Sequence, residues 1–249
     1  MIDQVIKNIK DTELSEEPFE HKFVNEVFPK EFYKNLIDNL PHKKDYMPLT
    51  NTGTVSKNHP LERFVFFLNL ENINKLEKIK KEPLLELIKI FTSPIFFNTV
   101  TDQFKNVIRN RIKNFSQYEI DLLGKDKFEF DIQASLVKDF KKYQLGVHTD
   151  TTKKFLSFLF YLPSDKKLIE LGTALYKPKK EIDTGPKGNK HIAPSETEKA
   201  FNLVKKVPFL PNTLLVFPRT NYSFHGVEKI NEDQSERNLI QLNYYFKTK

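Results

Sequence analysis

The chain has 249 residues, 39% hydrophobic and 29% charged, with 23 Phe, 9 Tyr, no Trp and no Cys. That length and aromatic content provide for a sizeable core and exclude a disordered chain, and the lack of cysteine excludes disulfides and thiolate metal sites. The net charge of +7, from 40 Lys and Arg against 33 Asp and Glu, is mostly lysine scattered between elements, a solubility pattern that argues against nucleic acid as a partner.

Met1 to Glu20 is acidic and has no apolar run, so neither a signal peptide nor a membrane span is expected there. The longest apolar runs, such as Phe64 to Leu68 and Phe158 to Leu162, are strand-sized. A cytoplasmic chain without a membrane span is the expectation. Phe19 to Val27 reads as a short strand. Phe28-Pro29 then opens a helix, with Phe32, Tyr33, Leu36, Ile37 and Leu40 on one stripe and Pro41 as its stop. Residues 42–60 read as loop, and Arg63 to Leu68 as a strand. A helical region spans Ile73 to Ile90, with Pro83 as an expected break, and another starts at Ser93-Pro94 and runs through Ile112. His21, His42 and His59 stand alone in this half, with no second ligand at metal spacing.

From Lys127 the pattern changes to short runs of period two. Strands are expected at Phe128 to Lys138, Leu145 to Asp150, Phe155 to Leu162, Thr173 to Tyr176, Phe201 to Val207, Leu214 to Phe217, Ser223 to Val227 and Arg237 to Phe246. Strands following a helical half predict an α+β chain, a sandwich or barrel with helices packed on one face. We expect one domain, 1–249, in which 1–125 supports a β core at 126–249. On the last strand, Asn238, Ile240, Leu242, Tyr244 and Phe246 form a mostly apolar face suited to the helices. Arg237, Leu239, Gln241, Asn243 and Tyr245 form a more polar face suited to a cavity.

The candidate site is His148-Thr149-Asp150. In a strand the first and third residues project together, placing an imidazole beside a carboxylate. His225 on a later strand would complete a facial set of two histidines and one carboxylate, which suits Fe(II) and leaves open positions on the metal. Arg237 follows His225 by twelve residues and supplies a fixed cation for a bound carboxylate. Alone, His-x-Asp is a common strand-end turn; the later histidine and arginine give it meaning.

These motifs, with Phe158-Leu159-Phe160-Tyr161-Leu162-Pro163, Gly172-Thr173-Ala174-Leu175-Tyr176 and Pro211 to Phe217 between them, resemble the iron(II)/2-oxoglutarate-dependent oxygenases, in their prolyl 4-hydroxylase-like branch. The resemblance implies a double-stranded β-helix, the cupin-like jelly roll. It implies His148, Asp150 and His225 as ligands of Fe(II), and Arg237 paired with the distal carboxylate of 2-oxoglutarate. Tyr161 would hydrogen-bond that same carboxylate. The implied reaction hydroxylates an unactivated C–H of a protein residue or small molecule, consuming O2 and releasing succinate and CO2, with ascorbate as a further candidate cofactor. Leu171-Gly172 stands where many relatives have Gly-Gly, which leaves the branch open.

The polar segment Lys177 to Ser195 joins two core strands and is read either as a cover over the site, its lysines meeting an acidic substrate, or as a solvated flexible loop. His191 within it is a lone loop histidine and not expected to be a ligand. A jelly-roll binding protein, or a cupin-type dioxygenase or isomerase without 2-oxoglutarate, is the other reading. Arg237 separates them, because a cupin needs no buried carboxylate clamp.

Overall fold

The computed structural model describes residues 1–53, 55, 60–231 and 236–248. His59 lies outside the described residues. The described strands are β1 (Lys22–Val24), β2 (Met47–Pro48), β3 (Arg63–Phe67), β4 (Phe130–Asp139), β5 (Leu145–His148), β6 (Lys154–Tyr161), β7 (Ala174–Pro178), β8 (Phe201–Lys206), β9 (Thr213–Pro218), β10 (His225–Val227) and β11 (Arg237–Phe246). All eight period-two runs after Lys127 are strands. They form two antiparallel sheets, of order β1-β9-β6-β11-β4-β3-β2 and β5-β10-β7-β8. The N-terminal half thus contributes three strands to the larger sheet, besides its helices.

The helices are α1 (Ile2–Asp11), α2 (Lys30–Asp38), α3 (Leu70–Ile73), α4 (Lys78–Phe91), α5 (Pro94–Gln103), α6 (Lys105–Lys113), α7 (Gln117–Leu123) and α8 (Thr197–Ala200). Helix α1 was not expected, yet Ile2, Val5, Ile6 and Ile9 form a stripe at helical spacing, and Val5 and Ile9 are fully buried. Pro83 does not break α4. It sits in the second turn, where its fixed φ fits the helix and only one backbone bond is forfeited. The run from Ser93 to Ile112 is two helices, because Phe104 leaves helical geometry at φ −116° and turns the chain between α5 and α6. Among the described residues no single helix is long and apolar enough to cross a membrane; α4 and α5 pass that test only as a pair bent by 57°, and both bury residues in the core.

One core fills the space between the helices and the outer face of the larger sheet. Ile240, Leu242, Tyr244 and Phe246 of β11 point into it, as the alternation predicts. The Tyr244 hydroxyl donates to the Phe91 carbonyl at 2.8 Å, tying α4 to the sheet. A second core lies between the two sheets, with Val137, Leu215, Phe217 and Leu239 from the larger and Leu175 and Val227 from the smaller. The candidate site opens beside this inner core.

Candidate metal centre

β5 and β10 pair antiparallel with His148 directly opposite His225. Their rings lie 4.3 Å apart between centroids. Strand β5 ends at His148, two residues short of the expected end at Asp150, and the chain stays tied beyond it through the Thr149 amide, which donates to the Lys190 carbonyl at 3.0 Å. Asp150 therefore lies past the strand, yet it still projects with His148. One ligating atom from each of His148, Asp150 and His225 falls within 4.8 Å of the others, and all three residues are buried.

The hydrogen bonds fix which atoms face the centre. His148 Nδ1 lies 2.9 Å from the Gly146 carbonyl, and His225 Nδ1 lies 3.0 Å from the Ser223 carbonyl. A carbonyl can only accept, so both Nδ1 atoms carry the proton and both Nε2 lone pairs are free for a metal. Burial, then the neighbouring His225, holds the His148 pKa well below its usual value; burial also lowers that of His225. Neutral imidazole is the form a metal needs.

Asp150 is gripped from two sides. Lys154 Nζ donates to its Oδ1 at 2.7 Å, and the Ser157 hydroxyl donates to its Oδ2 at 2.6 Å. Burial would raise this carboxyl, but Lys154 first, then His225 and His148, hold it far below the ordinary carboxylate range. Arg219 supports the turn from behind, its Nε donating to the Asp150 carbonyl at 3.3 Å. Arg111 of α6 donates to the carbonyls of Thr152 and Lys154 at 2.6 and 2.7 Å. Lys154, Ser157, Arg111 and Arg219 were not singled out from the sequence. Only the period of β6, which puts Ser157 and Tyr161 on one face, hinted at any of them.

Arg237 and Tyr161 lie deeper, in the inner core. Arg237 is 1% exposed. Its Nε donates to the Leu171 carbonyl at 2.6 Å and its Nη1 to Asp139 Oδ2 at 2.8 Å, while Nη2 is buried with no partner among the described residues. The expected pair of parallel bonds to a ligand is therefore reduced to one free nitrogen. Tyr161 donates its hydroxyl to Thr173 Oγ1 at 2.7 Å, and its ring lies 5.7 Å from the Arg237 guanidinium.

The Lys177 to Ser195 segment lies against the site. Thr152 donates to the Lys187 carbonyl at 2.6 Å, and Ile192 donates to the Val147 carbonyl at 2.8 Å. Arg219 Nη2 also donates to the Lys187 carbonyl, at 3.0 Å. Gly188 adopts φ +61°, and a Cβ there would stand 2.2 Å from Asn221 Oδ1 and 2.8 Å from Arg219 Nη2, so a larger residue would strain the backbone and push those two side chains aside. His191 stacks on His148 at 5.0 Å and stays outside the ligand cluster. A cavity of about 640 Å³ opens beside the triad, lined by His148, Asp150, Lys154 and His191 and, from β11, by Gln241 and Asn243.

The sequence matches no family model and no curated protein. The likeness to solved structures is one of fold. The epimerase SnoN, in complex with Fe3+, alpha ketoglutarate and nogalamycin RO, has a TM-score of 0.52 at 8% identity, over 98% of this chain and 83% of that one. A 2OG-Fe(II) oxygenase family oxidoreductase from Burkholderia pseudomallei has a TM-score of 0.48 at 11% identity, over 98% and 90%. A prolyl hydroxylase from Trichoplax adhaerens, in complex with a peptide fragment, has a TM-score of 0.48 at 11% identity, over 98% and 88%. The chain shares its helix-and-antiparallel-sheet architecture with SnoN.

Proposed function

We propose that this chain is an Fe(II)- and 2-oxoglutarate-dependent oxygenase that hydroxylates an unactivated C–H of a small molecule or protein residue. The strand orders β9-β6-β11-β4 and β5-β10-β7-β8 read as the two halves of a double-stranded β-helix. One observation carries the reading: one ring nitrogen from each histidine and one carboxylate oxygen converge within 4.8 Å, with each Nδ1 lying on a backbone carbonyl, which leaves Nε2 to face a metal. Two nitrogens and one oxygen on one side of a buried point are the donor set of a non-haem Fe(II) centre.

His148, Asp150 and His225 would hold the iron, and Arg237 would give its orphaned Nη2 to the distal carboxylate of 2-oxoglutarate. Bound together with O2, these cofactors supply the oxidising power and yield succinate and CO2. The chain's part is position and environment. Lys154 and Ser157 fix the rotamer of Asp150, and Phe217 packs edge-on against His225 at 4.8 Å, keeping that side dry. Tyr161, its hydroxyl committed to Thr173, would wall the carboxylate end. A cupin-type protein working without 2-oxoglutarate has no use for the free nitrogen of Arg237.

Anaerobic addition of Fe(II) and 2-oxoglutarate should give a weak visible charge-transfer band. Air should then release succinate, faster with a true substrate across a panel of amino acids, peptides and small metabolites. A folded, metal-loaded protein that shows neither band nor succinate would sink the proposal.

A further inference from the structure

The far wall of the cavity holds a cation that the motifs did not announce. Arg63, at the start of β3, lines the same cavity as His148 and Asp150, and its neighbour in the row, Arg237, is 1% exposed. Arg63 Nε and Nη2 donate to Asp139 Oδ1 and Oδ2 at 2.6 and 2.8 Å. Its Nη1 makes no hydrogen bond among the described residues. Asp139, fully buried, also receives Arg237 Nη1 at 2.8 Å. The three side chains form one row across neighbouring strands, since Asp139 pairs in register with Arg63 on one side and Arg237 on the other.

Two guanidinium groups thus share one carboxylate, which leaves a single positive charge unmatched in a buried row. A buried charge is costly until a partner of opposite sign joins it. The other cation in the cavity wall, Lys154, is already matched by Asp150. One unmatched charge calls for a monoanionic group; a phosphate dianion would overshoot it. A second orphan lies in the same wall: Asn243 Oδ1 is buried without a partner and would accept an N–H or O–H from a ligand.

We propose that Arg63 is the carboxylate anchor of this cavity. It receives a ligand carboxylate through Nη1, while Asp139 acts as a positioning residue that fixes its plane and couples it to Arg237. The inference rests on reading the triad as a metal centre and deepens it. The carboxylate has two sources of the same chemistry: the distal end of 2-oxoglutarate, which Arg63 would then share with the Nη2 of Arg237, or an acidic primary substrate.

Calorimetric titration of the full-length Ni(II)-loaded protein separates them. The first arm compares 2-oxoglutarate with 2-oxopentanoate, which keeps the metal-binding head and lacks the distal carboxylate. The second compares phenylacetate with phenylacetamide over saturating 2-oxoglutarate. If the carboxylate is that of 2-oxoglutarate, Arg63→Met lowers the first preference by about tenfold or more, the scale of one lost charge-assisted contact, and Arg63→Lys restores part of it. If the carboxylate is that of the substrate, the first preference survives and the second collapses. Unchanged Ni(II) affinity and circular dichroism show that the centre and the fold persist in both variants. Both preferences intact in Arg63→Met, or neither present in the wild type, overturn the proposal. A wild type that binds Ni(II) but not 2-oxoglutarate sinks the oxygenase reading instead, and phenylacetate alone then judges Arg63.

Discussion

Lys154 and Asp150 form a buried ion pair 2.7 Å long inside the centre that the two histidines complete. Without a metal, the ammonium is the main counter-charge of Asp150. Lys154→Met should therefore destabilise the metal-free chain by roughly 3 kcal/mol, the cost of stranding one buried charge. A divalent ion should then raise the melting temperature more in the variant than in the wild type, because it takes over the missing charge. Thermal melts with and without Co(II) check this; equal stability of the two metal-free proteins would show that the pair contributes nothing.

Acid should weaken the metal-free chain through its imidazoles. His148 and His225 are both held below their usual pKa by burial, so the folded chain keeps them neutral where the unfolded chain takes up protons. Their stabilisation is complete above about pH 6.5 and is lost as pH falls from there toward the lowered folded values, by up to ~1.4 kcal/mol per pH unit for each ring. His21 and His191 shift the same way, so the comparison must isolate one ring. Urea unfolding at pH 7.5, 6.5 and 5.5 (a range chosen to bracket the reference value) should show a shallower pH slope for His225→Gln than for the wild type. Coincident slopes would mean that His225 is not buried as the neutral ring.

Gly188 joins the covering segment to the metal turn through Arg219. Gly188→Ala places a methyl against Arg219 and Asn221, so the segment should lift from Thr149 and Thr152. Proteolytic nicking between Lys179 and Lys190 should rise severalfold, and divalent metal affinity should drop by about tenfold as the Asp150 turn loses its backing. Limited proteolysis and Co(II) titration measure the two effects. Deleting Lys179 to Lys190 should raise the substrate KM and spare uncoupled 2-oxoglutarate turnover; unchanged kinetics would remove any covering role.

Asp139→Asn leaves Arg63 and Arg237 facing each other without their shared carboxylate. A loss of roughly 3 kcal/mol is expected, partly recovered by millimolar 2-oxoglutarate or succinate. Urea midpoints with and without added dicarboxylate test it; an undisturbed midpoint would show that the row carries no net charge.

The clustering of His148, Asp150 and His225 was legible because an imidazole and a carboxylate two residues apart, followed by a later histidine, stand out in a chain with only six histidines. The β half was legible because alternation is a strong signal when one face meets a core, as on β11. Arg63 and Asp139 were not, since their meaning lies in a row across three strands that no local pattern encodes. Lys154 read as a surface lysine because its burial depends on Asp150 four residues away. Helix α1 carried its stripe in plain view, but the acidic residues around it concealed the period. Pro83 misled because its tolerance depends on its turn within the helix.

The outermost strand of the larger sheet, β2, is only Met47 and Pro48. A proline has no amide hydrogen to donate, and two residues offer too short a template for an incoming chain. Edge-to-edge polymerisation through this margin is thereby discouraged, and the opposite margin, β1, offers an incoming chain only the three residues Lys22–Val24.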